Sequence, residues 1–500
     1  MKRTKIVCTL GPVSTKPKTI REMIQAGMDV ARINLSHGTH EEHKERIRLV
    51  RSIAGEMQKE IGILADLQGP KIRTGKLPEP MDLKEGMRLC LRWAGVGAPP
   101  PAGVPVITVD YPHLAADLET GSMIYLRDGL LHLRVEKILA EDVYCRVIKG
   151  GELCSRQGVA LPGVSLSLPA VTEKDLVDLD FLMKEGVDFI ALSFVRRAEH
   201  IDEVRRIIAG IKEENPEACT GGPCLIAKIE NEEGFKKRGE ILAAADGIMV
   251  ARGDLGVEVP PEEVPLLQES LIELANRLGK PVITATEMLE SMVSNPRPTR
   301  AEVTDIAHAI ISGTDAVMLS AETAVGRYPV QAVEMMARVA RRIESSLNYA
   351  EDLERRQKNR GKKRLGVAEA ISHATCQIAL DLGAQAIITA TQSGGTARMV
   401  SMYRPRAPIL AATPNLDVAR VLSLSWGVTA ILVPVTTTTE TTLDVSVRAA
   451  VARRFVKKGD LVVITGGLRT GIPGTTNLLQ VHEIEADACD AVPMEEPAGE

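Results

Sequence analysis

The stretch AKIENEEG ends an apolar run with Lys228 and Glu230, two residues apart. In a strand, such a pair points to one face. VARGDLGVEVP ends the next run with Gly253 and Asp254. Two carboxylates from neighbouring strands suit a hard divalent cation such as Mg²⁺, which takes one or two carboxylates plus water and phosphate oxygens. A lysine beside them would stabilise negative charge on the same ligand, although a plain structural ion pair would have the same spacing. Glycine before the aspartate allows close approach of a ligand to the backbone. ARINLSHG gathers Arg32, Asn34, Ser36 and His37, and ADLQGPKIRTG adds Asp66, Lys71 and Arg73. Arginine binds phosphate or carboxylate as a bidentate fork. Asn and Ser oxygens suit a monovalent cation, Ser36 fits equally as a helix cap, and His37 alone reads as structural.

These residues need elements that bring them together. Eight aliphatic runs, KIVCTL, DVARINL, IGILADL, DFIALSF, CLIAKIE, GIMVARGD, PVITATE and AVMLSAET, alternate with helical patterns. This predicts eight buried parallel strands closing into a β/α barrel. The active site of such a barrel lies at the strand carboxyl ends, where Thr286, Ser320 and Glu322 also fall. Residues 71–168 alternate with period two between Gly- and Pro-rich turns, which predicts a small all-β barrel inserted after strand three as a lid. The (β/α)8 barrel then comprises residues 1–70 and 169–346. An open-sheet α/β domain follows over 347–486, and an acidic tail expected to fray covers 487–500.

With 44% apolar and 25% charged residues, the chain is that of a globular protein, and 3% aromatics implies aliphatic cores. A net charge of −5 favours neither nucleic acid nor an anionic membrane as partner. No run reaches the roughly 18 apolar residues of a membrane span. Eight scattered cysteines read as reduced thiols of a cytoplasmic protein. Cys219 and Cys224 are the one close pair; they could bind metal or form a disulfide, but they lack the second ligand pair or nearby histidines of a metal site. RRQKNRGKKR (355–364) reads as a solvated linker or helix end rather than an interaction patch. No P-loop, protein-kinase, HExxH or GxSxG pattern occurs. Two polar glycine loops lie in the C-terminal domain, one holding Thr391, Ser393, Gly394, Gly395 and Thr396, the other Arg469 and Gly474. They could be ordinary connections; placed together in a separate domain, they suggest a phosphorylated effector bound away from the barrel site.

The motifs TKIVCTLGP, RINLSHGTH, GPKIRTG, IAKIENEEG, MVARGDLGVE, TATEMLESM, NPRPTRAEVTD, MLSAETAVGRYP, YRPRAPILA and GTTN run in order along the chain. On these it resembles the pyruvate kinases over essentially its whole length. The resemblance implies phosphoryl transfer from phosphoenolpyruvate to ADP, giving pyruvate and ATP at the end of glycolysis, in a homotetramer. It implies Lys228 as the lysine stabilising the transferring group, and Glu230 and Asp254 as ligands of Mg²⁺ or Mn²⁺. Arg32, Gly253, Asp254 and Thr286 fall at phosphoenolpyruvate-binding positions, and Asn34, His37, Arg73 and Arg197 where the family contacts the nucleotide. Thr286, Ser320 and Glu322 are candidates to order the water that protonates the enolate.

Three departures stand out. Arg197 replaces a frequent lysine and Glu287 a common glutamine. In K⁺-requiring members, the counterparts of Asn34, Ser36, Asp66 and the carbonyl of Leu67 surround the ion, in a DTKGPEIR context. Here the chain reads DLQGPKIR, with Leu67, Gln68 and Lys71 matching the K⁺-independent branch. A lysine ammonium supplies charge where the ion would, and like-charge repulsion opposes K⁺, so activity is expected with Mg²⁺ and without K⁺. The final loop lacks the Trp-Arg-Pro pattern of fructose-1,6-bisphosphate-activated members, which leaves a sugar monophosphate or AMP equally open as effector. The competing readings are another metal-dependent phosphoenolpyruvate or pyruvate barrel lyase and a catalytically silent paralogue. The first lacks the inserted domain and the arginine cluster; the second predicts loss of Lys228, Glu230, Asp254 or Thr286.

Overall fold

A computed structural model describes residues 2–96, 103–216, 222–359, 365–467 and 476–485. The eight aliphatic runs form eight strands: Lys5–Thr9, Val30–Asn34, Gly62–Asp66, Phe189–Leu192, Cys224–Ile229, Gly247–Ala251, Val282–Ala285 and Ala316–Leu319. Each pairs in parallel with its sequence neighbours, and the first pairs with the last, closing the barrel. Alternation assigns the side chains: Val7, Leu64, Ile226, Met249 and Ile283 fill the interior, while Ile6, Cys8, Ile63 and Ala65 face the helices.

Local chemistry fixes where the surrounding helices begin. Thr39, Thr172 and Thr299 each cap a helix start and are answered three residues on by Glu42, Asp175 and Glu302, reciprocal caps that satisfy the free backbone N–H groups. Gly186, Gly279 and Gly313 end helices in the left-handed conformation.

Between barrel strands three and four, the described residues form a β lobe with its own core, including Leu89, Leu91, Ile107, Leu133 and Val143. Six strands run in the order Val159–Ala160, Met123–Leu126, Leu131–Leu139, Asp142–Lys149, Arg88–Trp93 and Val106–Val109. The two edges of that sheet are joined by one stretch of chain. Arg73 bridges Gly158 and Thr74 bridges Val109. The amide of Val159 donates to the Ile72 carbonyl at 2.9 Å, and that of Gly75 to Thr108 at 2.7 Å. The residues that carry the chain out of the barrel therefore also close the lobe.

The C-terminal domain is a five-stranded sheet ordered Val428–Leu432, Ile409–Thr413, Ala386–Ala390, Leu461–Gly467 and Thr476–Glu483, antiparallel only at the last pair. It docks on the amino ends of the barrel strands. Leu424 enters the cluster inside the barrel. Arg404 is 4% exposed and donates to Asp315 at 2.8 Å, Asn276 at 2.6 Å and the Gly313 carbonyl at 2.8 Å. This domain thus lies opposite the strand carboxyl ends. Arg469, Gly474, Cys219 and residues 487–500 lie outside the described residues, as does much of the 355–364 stretch. Among the described residues, no helix is long and apolar enough to cross a membrane.

One buried group sets an acid limit on this fold. His43 is 1% exposed, its Nε2 lacks a partner, and burial pulls its pKa down to about 4. Below the ordinary histidine value near 6.5, the unfolded chain takes a proton that folded His43 refuses. Stability should therefore fall as the pH drops from 6.5 towards 4, by on the order of 1–2 kcal/mol at pH 5 from this group. Urea midpoints at pH 7 and 5 should diverge less for His43→Leu than for the parent; identical divergence would show that the loss arises elsewhere.

Candidate active site

Asp66 ends barrel strand three and is 1% exposed. Its Oδ2 accepts from Arg32 Nε at 2.9 Å and Nη2 at 2.7 Å, and its Oδ1 from Lys228 Nζ at 3.1 Å. Arg32 Nη1 also donates to Thr9 Oγ1 at 2.9 Å. Burial works against ionisation of Asp66, but Lys228 and Arg32 override it and hold the carboxyl below its ordinary range. Lys228 in turn lies 3.0 Å from Glu230 Oε1. Burial alone would lower its pKa; Asp66 and then Glu230 reverse the sign and keep the ammonium charged. Two cations from strands two and five thus flank one carboxylate, held ready for an anion.

Ser193 sits at the end of strand four, between strands three and five. Its hydroxyl accepts from Lys228 Nζ at 2.7 Å and donates to the Leu67 carbonyl at 2.8 Å. Nothing in its sequence context marked it beyond its place after the fourth apolar run. Arg252, adjacent to Gly253, was also missed. It donates to the Thr286 carbonyl at 2.7 Å and to Asp305 at 2.6 Å, fixing the turn after strand seven. That turn carries positive φ at Thr286 (71°) and Glu287 (55°), a conformation side chains seldom adopt without external restraint.

Glu230 Oε2 accepts from the Phe194 amide at 2.6 Å, leaving Oε1 towards Lys228. Burial raises the pKa of Glu230, Lys228 opposes that shift, and Asp254 adds to it. Asp254 Oδ1 pairs with Lys71 Nζ at 3.2 Å. Glu230 and Asp254 both line a cavity of about 260 Å³ between the β lobe and the barrel. Among the described residues, no group of three or more His, Cys, Asp or Glu side chains is arranged around one point. Two carboxylates with room beside them fit Mg²⁺, which completes its shell with water and substrate oxygens. At Gly253, an added Cβ would stand 3.5 Å from Thr286 Oγ1, an ordinary contact. The fold alone does not demand glycine there. The Gly253 amide donates to Thr286 Oγ1 at 2.8 Å.

Other expected residues have different employments. Glu322 is 1% exposed, and its carboxylate accepts from the amides of Leu289 at 2.9 Å and Ser320 at 2.7 Å. It ties the turns after strands seven and eight together. Ser320 ends strand eight beside it. Asn34 Oδ1 accepts from the Ser36 amide at 3.1 Å, while His37 is exposed. Arg73 donates from its backbone to Asp110 at 2.6 Å within the β lobe. Arg197 Nε donates to Glu233 at 3.1 Å with its side chain 43% exposed. The four nucleotide candidates Asn34, His37, Arg73 and Arg197 do not touch one another among the described contacts. Lys71, expected to stand where K⁺ would, makes no bond to Asp66 among the described residues; its ammonium is on Asp254.

In the C-terminal domain, Thr391 and Ser393 follow strand Ala386–Ala390, and Gly394 (φ 77°) turns the chain into helix Gly395–Ser401. Thr396 Oγ1 meets Thr476 Oγ1 at 2.7 Å, joining the loop to the last strand.

Comparison with known proteins gives a consistent picture. The family model "Pyruvate kinase, barrel domain" matches residues 1–333, and "Pyruvate kinase, alpha/beta domain" matches residues 369–482. Pyruvate kinase 2 of Synechocystis sp. is 47% identical over 490 residues, covering 97% of this chain and 80% of that one. The pyruvate kinase of Geobacillus stearothermophilus is 48% identical over 486 residues, with the same coverage of 97% and 80%. Among solved structures, a pyruvate kinase from Cryptosporidium parvum superposes with a TM-score of 0.90 at 36% identity, covering 96% of each chain.

Proposed function

Because this chain belongs to the pyruvate kinase family, and so transfers the phosphoryl group of phosphoenolpyruvate to ADP with a divalent metal, we propose that the transfer takes place at the Asp66–Lys228–Glu230 cluster. The observation that carries this reading is Lys228, kept charged between two buried carboxylates at the strand carboxyl ends.

In this reading Arg32 and the turn around Gly253 and Thr286 hold phosphoenolpyruvate. Glu230 and Asp254 hold the divalent ion, which supplies Lewis-acid polarisation of phosphoryl and enolate oxygens. Lys228 donates to the phosphoryl oxygens as charge spreads over them, and Arg32 adds a second positive centre. Catalysis of this kind rests on positioning and charge rather than covalent chemistry. Asn34, His37, Arg73 and Arg197 orient the nucleotide. Thr286 and Ser320 hold the water that protonates the enolate left behind, on turns fixed by Glu322 and Arg252. The β lobe over the mouth excludes bulk water from the moving phosphoryl group. A coupled assay with phosphoenolpyruvate, ADP and Mg²⁺ tests the whole reading: no pyruvate with any divalent metal would favour a silent paralogue.

K⁺-independence belongs to the same reading. Both Asp66 oxygens are committed to cations, the Leu67 carbonyl takes the Ser193 hydroxyl, and Asn34 Oδ1 takes the Ser36 amide. Those are the groups that would surround the ion. Turnover in a tetramethylammonium buffer should match that in K⁺ within about twofold, an energy difference below 0.5 kcal/mol. A many-fold loss without K⁺ would sink the idea. A phosphorylated effector at residues 391–396, homotetrameric assembly and a cytoplasmic location, where the six described cysteines stay free, complete the proposal. A screen of sugar phosphates and AMP in the coupled assay tests the effector, and sedimentation velocity the assembly.

A further inference from the structure

Helix Glu173–Glu185 is the first element after the chain returns from the β lobe, and it grips both ends of the 35–39 loop that follows barrel strand two. At the strand end, Lys174 Nζ donates to the Leu35 carbonyl at 2.8 Å. At the other end, His40 opens helix His40–Glu56 and stacks on Phe181, with ring centres 4.2 Å apart and planes within 5°. Its Nε2 lies 2.7 Å from Asp178 Oδ1. Asp178 joins the two grips, because its other oxygen accepts from Lys174 Nζ at 2.6 Å. That carboxylate is 1% exposed, and a buried charge persists only when paired. Both of its partners lead to the same loop.

The two helices do not need this polar set to dock. Leu179 and Leu182 from one and Ile47 from the other already join a single apolar cluster, and a buried ion pair is a weak source of stability. What the set specifies is the place of the loop. Between the grips, the described contacts that shape it are local: the Ser36 amide meets Asn34 Oδ1 at 3.1 Å, the His37 amide meets the Asn34 carbonyl at 3.4 Å, and Gly38 turns with φ 87°. We propose that Asp178, acting through His40 and Lys174, is a positioning residue for the nucleotide, holding the 35–39 loop where Asn34 and His37 reach ADP. The inference rests on the reading of those two residues as nucleotide contacts. A loop fixed before its ligand arrives removes the ordering cost from binding. Phosphoenolpyruvate should be indifferent to the set, since Arg32 is held by Asp66 and Thr9, and the Gly253 amide by Thr286.

Steady-state kinetics with each substrate varied, together with calorimetric titration of ADP into the full chain with Mg²⁺, tests this. Asp178→Asn should raise KM for ADP and weaken ADP binding at least fivefold, about 1 kcal/mol. KM for phosphoenolpyruvate and kcat at saturating ADP should stay within twofold. Lys174→Met should act in the same direction and Lys174→Arg should restore parental values, because a guanidinium still spans the Leu35 carbonyl and Asp178. That rescue guards against a folding defect in the aspartate variant. Asn34→Ala and His37→Ala separate the two readings. If either weakens ADP binding and Asp178→Asn does not, the positioning role is overturned while the nucleotide reading stands. If none of the three weakens it, the nucleotide reading falls and the inference falls with it. Equal losses for both substrates in Asp178→Asn would reduce the set to a structural clamp and would also overturn the proposal.

Discussion

Lys228→Met should lower kcat by at least 10²–10³-fold while leaving phosphoenolpyruvate binding within a few-fold of the parent. The expected size follows from removing one preorganised charge from a site shielded from water, worth about 3–4 kcal/mol in the transition state. Binding should survive because Arg32 and the Gly253–Thr286 turn do not depend on the lysine. Arg32 has its own bonds to Asp66 and Thr9, and the Gly253 amide is fixed by Thr286 Oγ1. Methionine keeps most of the side-chain length, so the loss reports charge rather than a void. Single-turnover kinetics with equilibrium binding of phosphoenolpyruvate separates the two effects. A variant within tenfold of parental kcat would remove Lys228 from the role assigned to it.

Asp66→Asn should have the largest effect on stability. The substitution keeps the shape but removes the one negative charge that Arg32 and Lys228 share, at 2.7 Å and 3.1 Å. Both partners are nearly buried, with side chains 11% and 12% exposed. Breaking a buried pair by removing one partner costs about 3–5 kcal/mol; here Arg32 would lose its counter-charge, while Lys228 would keep only Glu230. Phosphoenolpyruvate should recover part of that loss in a thermal-shift measurement, its own anion standing in for the carboxylate. The same linkage fixes the acid side for the parent. The folded pKa of Asp66 is depressed, so its contribution is present above the unfolded carboxyl value near 4 and is lost as the pH falls below it. If Asp66→Asn melts with the parent at neutral pH, the carboxylate is not the keystone of the cluster.

Much of this arrangement was legible in the chain. A strand places i and i+2 on one face, so Lys228 and Glu230 could be assigned to one site from spacing alone. The eight runs gave the barrel because each is short, aliphatic and followed by a helix of matching period. What escaped was contact across the barrel mouth. Ser193 reads as an unremarkable serine after DFIALSF, and only strand order shows that it stands between Asp66 on strand three and Lys228 on strand five. Glu322 and Lys71 show the converse. Their types suggested a proton relay and a potassium substitute, and only the structure shows the neighbours they hold, two backbone amides for Glu322 and Asp254 for Lys71.

The sequence by itself determined the element order, the residues delivered to each strand end and the reaction family, since all of these rest on local period and contiguous motifs. The tertiary structure decided which charges neutralise which. Arg32 and Lys228 lie 34 and 162 positions from Asp66, and Arg404 lies 89 from Asp315. Coulomb energy and desolvation depend on distances after closure, which no local pattern encodes. That is why the carboxylates and cations could be named in advance, while their partners, protonation and division of labour emerged only once the barrel had closed around them.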